Sequence, residues 1–230
     1  MKLSFRLAFA LVSVLVISNA NATIFDFKAM ANGGEYGESA YDTLSLTGDG
    51  FTLDITGTNA NGDAYAYLDS VSGGYDAGLG VCGALVDGAS TGKNGGNKGN
   101  LCNPSDDDNV TRGESLHLVF STDVIIDTLW FNDNHDSDFS LLGNTIVIGG
   151  SNYTFGAGNF DSFVDPGLYQ DVHTLTSFSV SAGTSFDIAF YDDQFYLSKM
   201  NVRAVPEPAT LTLMGIGLVG LGFSRRKAKH

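Results

Sequence analysis

Ser115-Leu116-His117-Leu118-Val119-Phe120, closely followed by Ile125-Ile126-Asp127-Thr128-Leu129-Trp130-Phe131, is the stretch that decides the fold class. In the first run Leu116, Leu118 and Phe120 alternate with Ser115, His117 and Val119. Successive side chains of an extended chain point to opposite faces, so a period of two puts one apolar set against a core and leaves the other set outside. A helix would repeat its apolar positions every three to four residues, and neither run does so. Trp130 sits in a strongly apolar run and is read as core.

The same alternation continues on both sides. It is seen in Leu44-Ser45-Leu46, in Phe51-Thr52-Leu53-Asp54-Ile55-Thr56 and in Ala64-Tyr65-Ala66-Tyr67-Leu68. Thr145-Ile146-Val147-Ile148 and Tyr153-Thr154-Phe155 form a hairpin across Gly149-Gly150-Ser151-Asn152. Further strands are expected over 175–180, 185–190 and 195–202. No internal repeat and no sustained helical period is present between the chain ends. Many short strands with abundant glycine predict an all-β fold, an antiparallel β-sandwich of jelly-roll type.

Both ends depart from this pattern. Lys2 and Arg6 precede an apolar run over 7–17, and then come Ser18-Asn19-Ala20-Asn21-Ala22. A basic start, an apolar centre and small residues at Ala20 and Ala22 make a secretory signal helix, with cleavage by signal peptidase expected after Ala22. At the other end Val205-Pro206-Glu207-Pro208 leads into an apolar, glycine-dotted run and then Arg225-Arg226-Lys227. The uncharged stretch over 209–224 predicts a short transmembrane helix, with basic residues held on the cytoplasmic side. The chain therefore divides into a signal peptide at 1–22, a β-sandwich at 23–204 and a sorting anchor at 205–230.

Pro206-Glu207-Pro208, the short Gly-rich apolar segment and the terminal Arg225-Arg226-Lys227 together resemble the PEP-CTERM sorting signal. The resemblance implies recognition by an exosortase, a membrane-embedded processing enzyme of Gram-negative bacteria that also make exopolysaccharide. The implied route is export, transient anchoring in the inner membrane with the body in the periplasm, and release to the cell surface or extracellular matrix. Part of the body, Gly78-Leu79-Gly80-Val81-Cys82 with Cys102-Asn103-Pro104-Ser105-Asp106-Asp107-Asp108-Asn109-Val110-Thr111 and Glu114, resembles a body type recurring among such proteins. That second likeness implies no activity.

The chain has 26 acidic residues, of which only Glu207 lies outside 23–205, leaving 25 there. Against them stand Lys28, Lys93, Lys98, Arg112, Lys199 and Arg203, so the body carries a formal charge of −19. Such a charge excludes nucleic acid and anionic lipid as partners and favours cations. Export places Cys82 and Cys102 in an oxidising compartment, and an even count predicts a disulfide closing a Gly/Asn-rich loop.

Asp106, Asp107, Asp108 and Glu114 place four carboxylates within nine positions, with Asn109 beside them. Calcium takes six to eight oxygens of these kinds, so Asp106, Asp108, Asn109 and Glu114 form a candidate calcium site, which Asp69 or Asp192-Asp193 would complete. A solvated acidic loop is the competing reading. Asn134, Asp136 and Asp138 share the spacing that opens an EF-hand loop. Phe139 and Thr145, however, stand where glycine and the bidentate glutamate are required. His117, His135, His173 and His230 form no zinc-type pair. No nucleophile elbow marks a Ser-His-Asp enzyme. Tyr36, Tyr41, Tyr75, Trp130 and Tyr169 are candidate aromatics for stacking on sugar rings, with core the favoured reading for Trp130. The expectation is a non-enzymatic envelope or matrix protein, exopolysaccharide-associated and calcium-stabilised. A secreted polysaccharide hydrolase with paired carboxylates is the alternative.

Overall fold

In a computed structural model, the structure describes residues 21–33, 36–70, 77–91, 101–104, 108–132, 141–156, 161–165 and 170–206, with backbone only for 161–165 and 170–177. Along the chain come β1 (Ala22–Asp26), a single helical turn α1 (Phe27–Ala31), β2 (Ser39–Tyr41), β3 (Leu44–Gly48), β4 (Phe51–Asn59) and β5 (Gly62–Leu68). Next are β6 (Leu79–Cys82), β7 (Ser115–Phe120), β8 (Val124–Asn132), β9 (Thr145–Ile148) and β10 (Ser151–Thr154). β11 (Asp161–Asp165), β12 (Gln170–Val180), β13 (Ser185–Phe190) and β14 (Tyr196–Ala204) complete the fold. Every strand pair is antiparallel.

The expected all-β, antiparallel architecture is observed, as one continuous sheet that curls over its own core. Its order is β10-β9-β13-β7-β4-β5-β6-β14-β8-β12-β11, with β3 added on β4, β2 on β5 and β1 on β14. β5 makes the fold-over. Its first residues, Gly62 to Ala64, pair with β4, whereas Tyr65 to Leu68 pair with β6. A strand that changes partners midway turns a sheet corner, and glycine permits the tight crossing. Gly57 supplies it here, since a Cβ at that position would stand 2.7 Å from the Tyr65 carbonyl oxygen.

The two halves face each other through the alternation read from the sequence. Leu53 and Ile55 of β4 and Leu116, Leu118 and Phe120 of β7 are fully buried. So are Ile126, Leu129 and Phe131 of β8 and Met200 and Val202 of β14, and all belong to one core. Aromatic contacts cross between the halves. Phe25 meets Phe51 at 6.0 Å between ring centroids, and Phe178 meets Phe186 at 5.2 Å. Burying each such side chain contributes about 1.5–3 kcal/mol relative to leaving it in water.

Three sequence expectations are revised. The β9–β10 turn is Gly149-Gly150 alone, both with positive φ, and Ser151 already pairs with Ile148. Two left-handed residues match the twist of a two-residue hairpin, so the strand starts earlier than the apolar pattern suggests. Trp130 is only half-buried, because Leu129 and Phe131 take the inner face and the pleat turns Trp130 outward. Tyr41 is buried rather than displayed, as it packs within the core beside β5. The signal helix and the anchor helix lie outside the described residues. Among the described residues no helix is long and apolar enough to cross a membrane.

Candidate functional site

The acidic loop re-enters the described structure at Asp108, and its end is built into the sheet. Val110 bridges Phe195, with its N–H donating to the Phe195 carbonyl at 2.9 Å. The Val81 N–H of β6 donates to the Asn109 carbonyl at 3.2 Å. Gly80 is what lets the loop lie so close. A Cβ there would sit 2.0 Å from the Asp108 carbonyl oxygen and 2.6 Å from Asn109 Cα.

Asp108, Asn109 and Glu114, at the end of the loop, are all buried. Asp108 Oδ1 accepts a 2.7 Å hydrogen bond from the Tyr196 hydroxyl of β14. Glu114 closes the turn before β7. Its Oε2 accepts from the Thr111 N–H and the Thr111 hydroxyl, each at 2.9 Å, around Gly113 in the left-handed conformation. Both carboxylates thus use oxygens within the chain. Asp106 lies outside the described residues. Asp192 and Asp193 do not join this loop. Asp192 Oδ1 accepts from the Thr145 N–H at 2.6 Å, and Asp193 accepts from the Asn144 amide. Among the described residues no group of three or more His, Cys, Asp or Glu side chains stands together to hold a metal ion.

A polar seam runs along β6 and the start of β14. Asn132 donates to the Ala77 carbonyl at 3.0 Å and to the Ser198 hydroxyl at 2.5 Å. Buried Asp69 sits beside it, its N–H donating to Gly78. Cys82 and Cys102 form the expected disulfide, with Cα atoms 5.7 Å apart. Tyr67 packs with that bridge, Ala40 and Leu101. Its hydroxyl donates to Glu38 at 2.9 Å and accepts from the Leu101 N–H at 3.1 Å, so it pins the returning arm of the disulfide loop. Burial, reinforced by the Glu38 carboxylate, raises its pKa far above the usual phenol value, and the Leu101 hydrogen bond offsets only part of this.

A different constellation occupies the outer face of β4, β7 and β13. His117 Nδ1 is 2.6 Å from Asp187 Oδ1, and its Nε2 is 3.1 Å from the Ser115 hydroxyl and 2.8 Å from that of Thr58. The two hydroxyls are 2.8 Å apart, and the Ser185 hydroxyl also donates to Asp187 Oδ1. The His117 and Asp187 side chains are 27% and 45% exposed. Sequence reading missed this group because His117 and Asp187 are 70 positions apart. The available signal was the pair of polar i, i+2 steps, Ser115 to His117 and Ser185 to Asp187. Of the proposed sugar-stacking aromatics, Tyr36 and Trp130 are half-buried, and Tyr75 and Tyr169 lie outside the described residues. Tyr191, which was not among them, is the exposed tyrosine among the described residues, at 54%.

Of the sorting residues, Pro206 is described and exposed, with Val205 alone between it and the end of β14. Glu207, Pro208, Arg225 and Arg226 lie outside the described residues. No curated protein and no solved structure is detectably similar to the chain. Residues 204–227 match the PEP-CTERM protein-sorting motif, which marks the chain as carrying an export-linked C-terminal sorting segment of the kind processed by exosortase.

Proposed function

We propose that this chain delivers a non-enzymatic, disulfide-braced β-sandwich to the cell envelope or extracellular matrix, where it associates with exopolysaccharide. The observation that carries the reading is the sorting motif beginning at residue 204, directly at the end of the last strand. A charge of −19 over 23–205 fits a partner that is neutral, cationic or bridged by calcium. Calcium enters the proposal as a stabiliser bound through Asp106, Asp108, Asn109 and Glu114. β14, the last strand, pairs with β1, the first, and this adjacency supports jelly-roll wiring in that half of the sheet. The test is mass spectrometry of protein matured in its native host. The mature chain is expected to start after Ala22 and to end near Val205, and an intact Arg225-Arg226-Lys227 terminus on matured protein refutes the sorting part.

A second reading, a secreted hydrolase acting on polysaccharide, is favoured by one observation. The outer face brings Ser115, His117 and Asp187 into a hydrogen-bonded chain. Incubation of the exported chain with host polysaccharide, followed by measurement of released acids and reducing ends, distinguishes the two readings.

A further inference from the structure

Resting on the hydrolase reading, we propose that Ser115 is an acyl-accepting nucleophile with His117 as its base and Asp187 as the positioning carboxylate, acting on short-chain acyl esters with acidic leaving groups. The strand geometry builds the group without a loop. Leu116, Leu118 and Phe120 are fully buried, so the pleat of β7 turns Ser115 and His117 together to the outer face. Register then supplies the partners. Thr58 lies opposite Ser115, and Asp187 lies opposite His117.

The roles follow from the contacts. A neutral imidazole carries one proton, and the nitrogen facing a carboxylate keeps it. Nδ1, 2.6 Å from Asp187 Oδ1, is therefore the N–H, which leaves Nε2 as the acceptor for the hydroxyls. The Ser185 hydroxyl, donating to the same carboxylate oxygen, fixes the carboxylate in turn. A nucleophile within reach of a base that is oriented by a third group is the arrangement that activates a hydroxyl. Ser115 is chosen over Thr58 because its primary alcohol is less hindered. Thr58, 2.8 Å from both Ser115 Oγ and His117 Nε2, positions the pair.

In the reaction the Ser115 oxygen bonds to the acyl carbon as its proton passes to His117 Nε2. The carbon–oxygen bond to the leaving group breaks, and the departing oxygen takes that proton. Water then repeats the sequence, frees the acid and restores the serine. The backbone N–H groups of β7 lie in the sheet plane, shared with β4 and β13, so they are not aimed at a developing oxyanion. That restricts the substrates to esters whose leaving groups are themselves acidic.

The test uses the exported chain with a tagged fluorophosphonate and with 4-nitrophenyl acetate. The expected result is covalent labelling that maps to Ser115 and is abolished in Ser115→Ala, with ester turnover lost alongside. His117→Gln and Asp187→Asn are expected to lower the labelling rate by about a hundredfold or more, since the first removes the base and the second removes the carboxylate that holds its Nδ1–H, each keeping a polar side chain of similar size. Ser115→Ala deletes one hydroxyl from a partly exposed position, so its folding is checked by an unchanged melting temperature. Labelling at Thr58 or elsewhere, or labelling that persists in His117→Gln, overturns the proposal. Absent labelling with reducing ends still released from polysaccharide overturns it while leaving the hydrolase reading intact. Absent labelling with no release of acids or reducing ends overturns both.

Discussion

Gly80→Ala is expected to be one of the most damaging small substitutions in this chain. The added Cβ would meet the Asp108 carbonyl oxygen at 2.0 Å, Asn109 Cα at 2.6 Å and the Asp108 carbonyl carbon at 2.9 Å. All three are backbone atoms, so no side chain can swing away. Ordinary contact begins at 3.4 Å, and the loop end must therefore retreat by 1.4 Å, the difference between 3.4 and 2.0 Å. That retreat breaks the Val81–Asn109 hydrogen bond and strains the Val110–Phe195 bridge. Overpacking of this kind costs about 1–3 kcal/mol. One or two lost backbone hydrogen bonds add about 0.5–1.5 kcal/mol each. The expected loss is about 1.5–6 kcal/mol, and the middle of that range lowers the melting temperature of a body of this size by roughly 10 °C. Thermal denaturation of the exported chain measures it. Gly33→Ala is the control, because nothing lies within 4 Å of a Cβ there, and it is expected to change stability by under about 0.5 kcal/mol. If Gly80→Ala melts within about 1 °C of the parent, the argument that the loop is seated on β6 is wrong.

Three further outcomes are expected. Cys82 and Cys102 should resist alkylation until reduced, and replacing both by alanine should cost about 3 kcal/mol for a link spanning 20 positions; quantitative labelling of unreduced protein would refute the bridge. Because the folded state raises the Tyr67 pKa above its unfolded value near 10, the stability this provides is complete below pH 10 and is lost above it, at up to about 1.4 kcal/mol per pH unit. Urea denaturation between pH 9.5 and 11.5 should show that decline, and Tyr67→Phe should flatten it; equal slopes in both proteins would exclude Tyr67 as the source. At fixed ionic strength calcium should raise the melting temperature, by the equivalent of about 2.7 kcal/mol at a hundredfold excess over its dissociation constant, and Asp106→Asn with Asp108→Asn and Glu114→Gln should remove the increment. An unmoved melting curve would show that the carboxylates are satisfied without a cation.

Strands whose two faces differ were legible in the sequence. β4, β7 and β8 alternate because one face meets the core and the other meets water. β6 was not legible as a strand, because all four of its residues are buried and no alternation remains. Tyr41 was misread for a related reason. Its aromatic ring suits a surface or a core equally, and only the pairing of β2 with β5 settles the matter. At the acidic loop the residue types were visible, but their surroundings were not. Whether Asp108 faces water or Tyr196 depends on a strand 88 positions away. The outer-face group shows the same limit, since the register that sets Asp187 beside His117 is fixed by packing on the opposite side of the sheet.

β14 is the last strand made, yet it lies inside the sheet, with β8 along one edge and β1 and β6 along the other. Translocation led by the N-terminus therefore brings out 174 residues, from Ala22 to Phe195, before the strand that joins these neighbours begins to emerge. At synthesis rates of 5–20 residues per second that is a wait of roughly 10–35 s. The edge of β1 stands open to pairing with other chains throughout it, and that of β8 once Asn132 has emerged, the hazard that unpaired strands carry. Closure arrives with the residues just ahead of the sorting motif, so completion of the fold and delivery of the tail fall at the same moment in export.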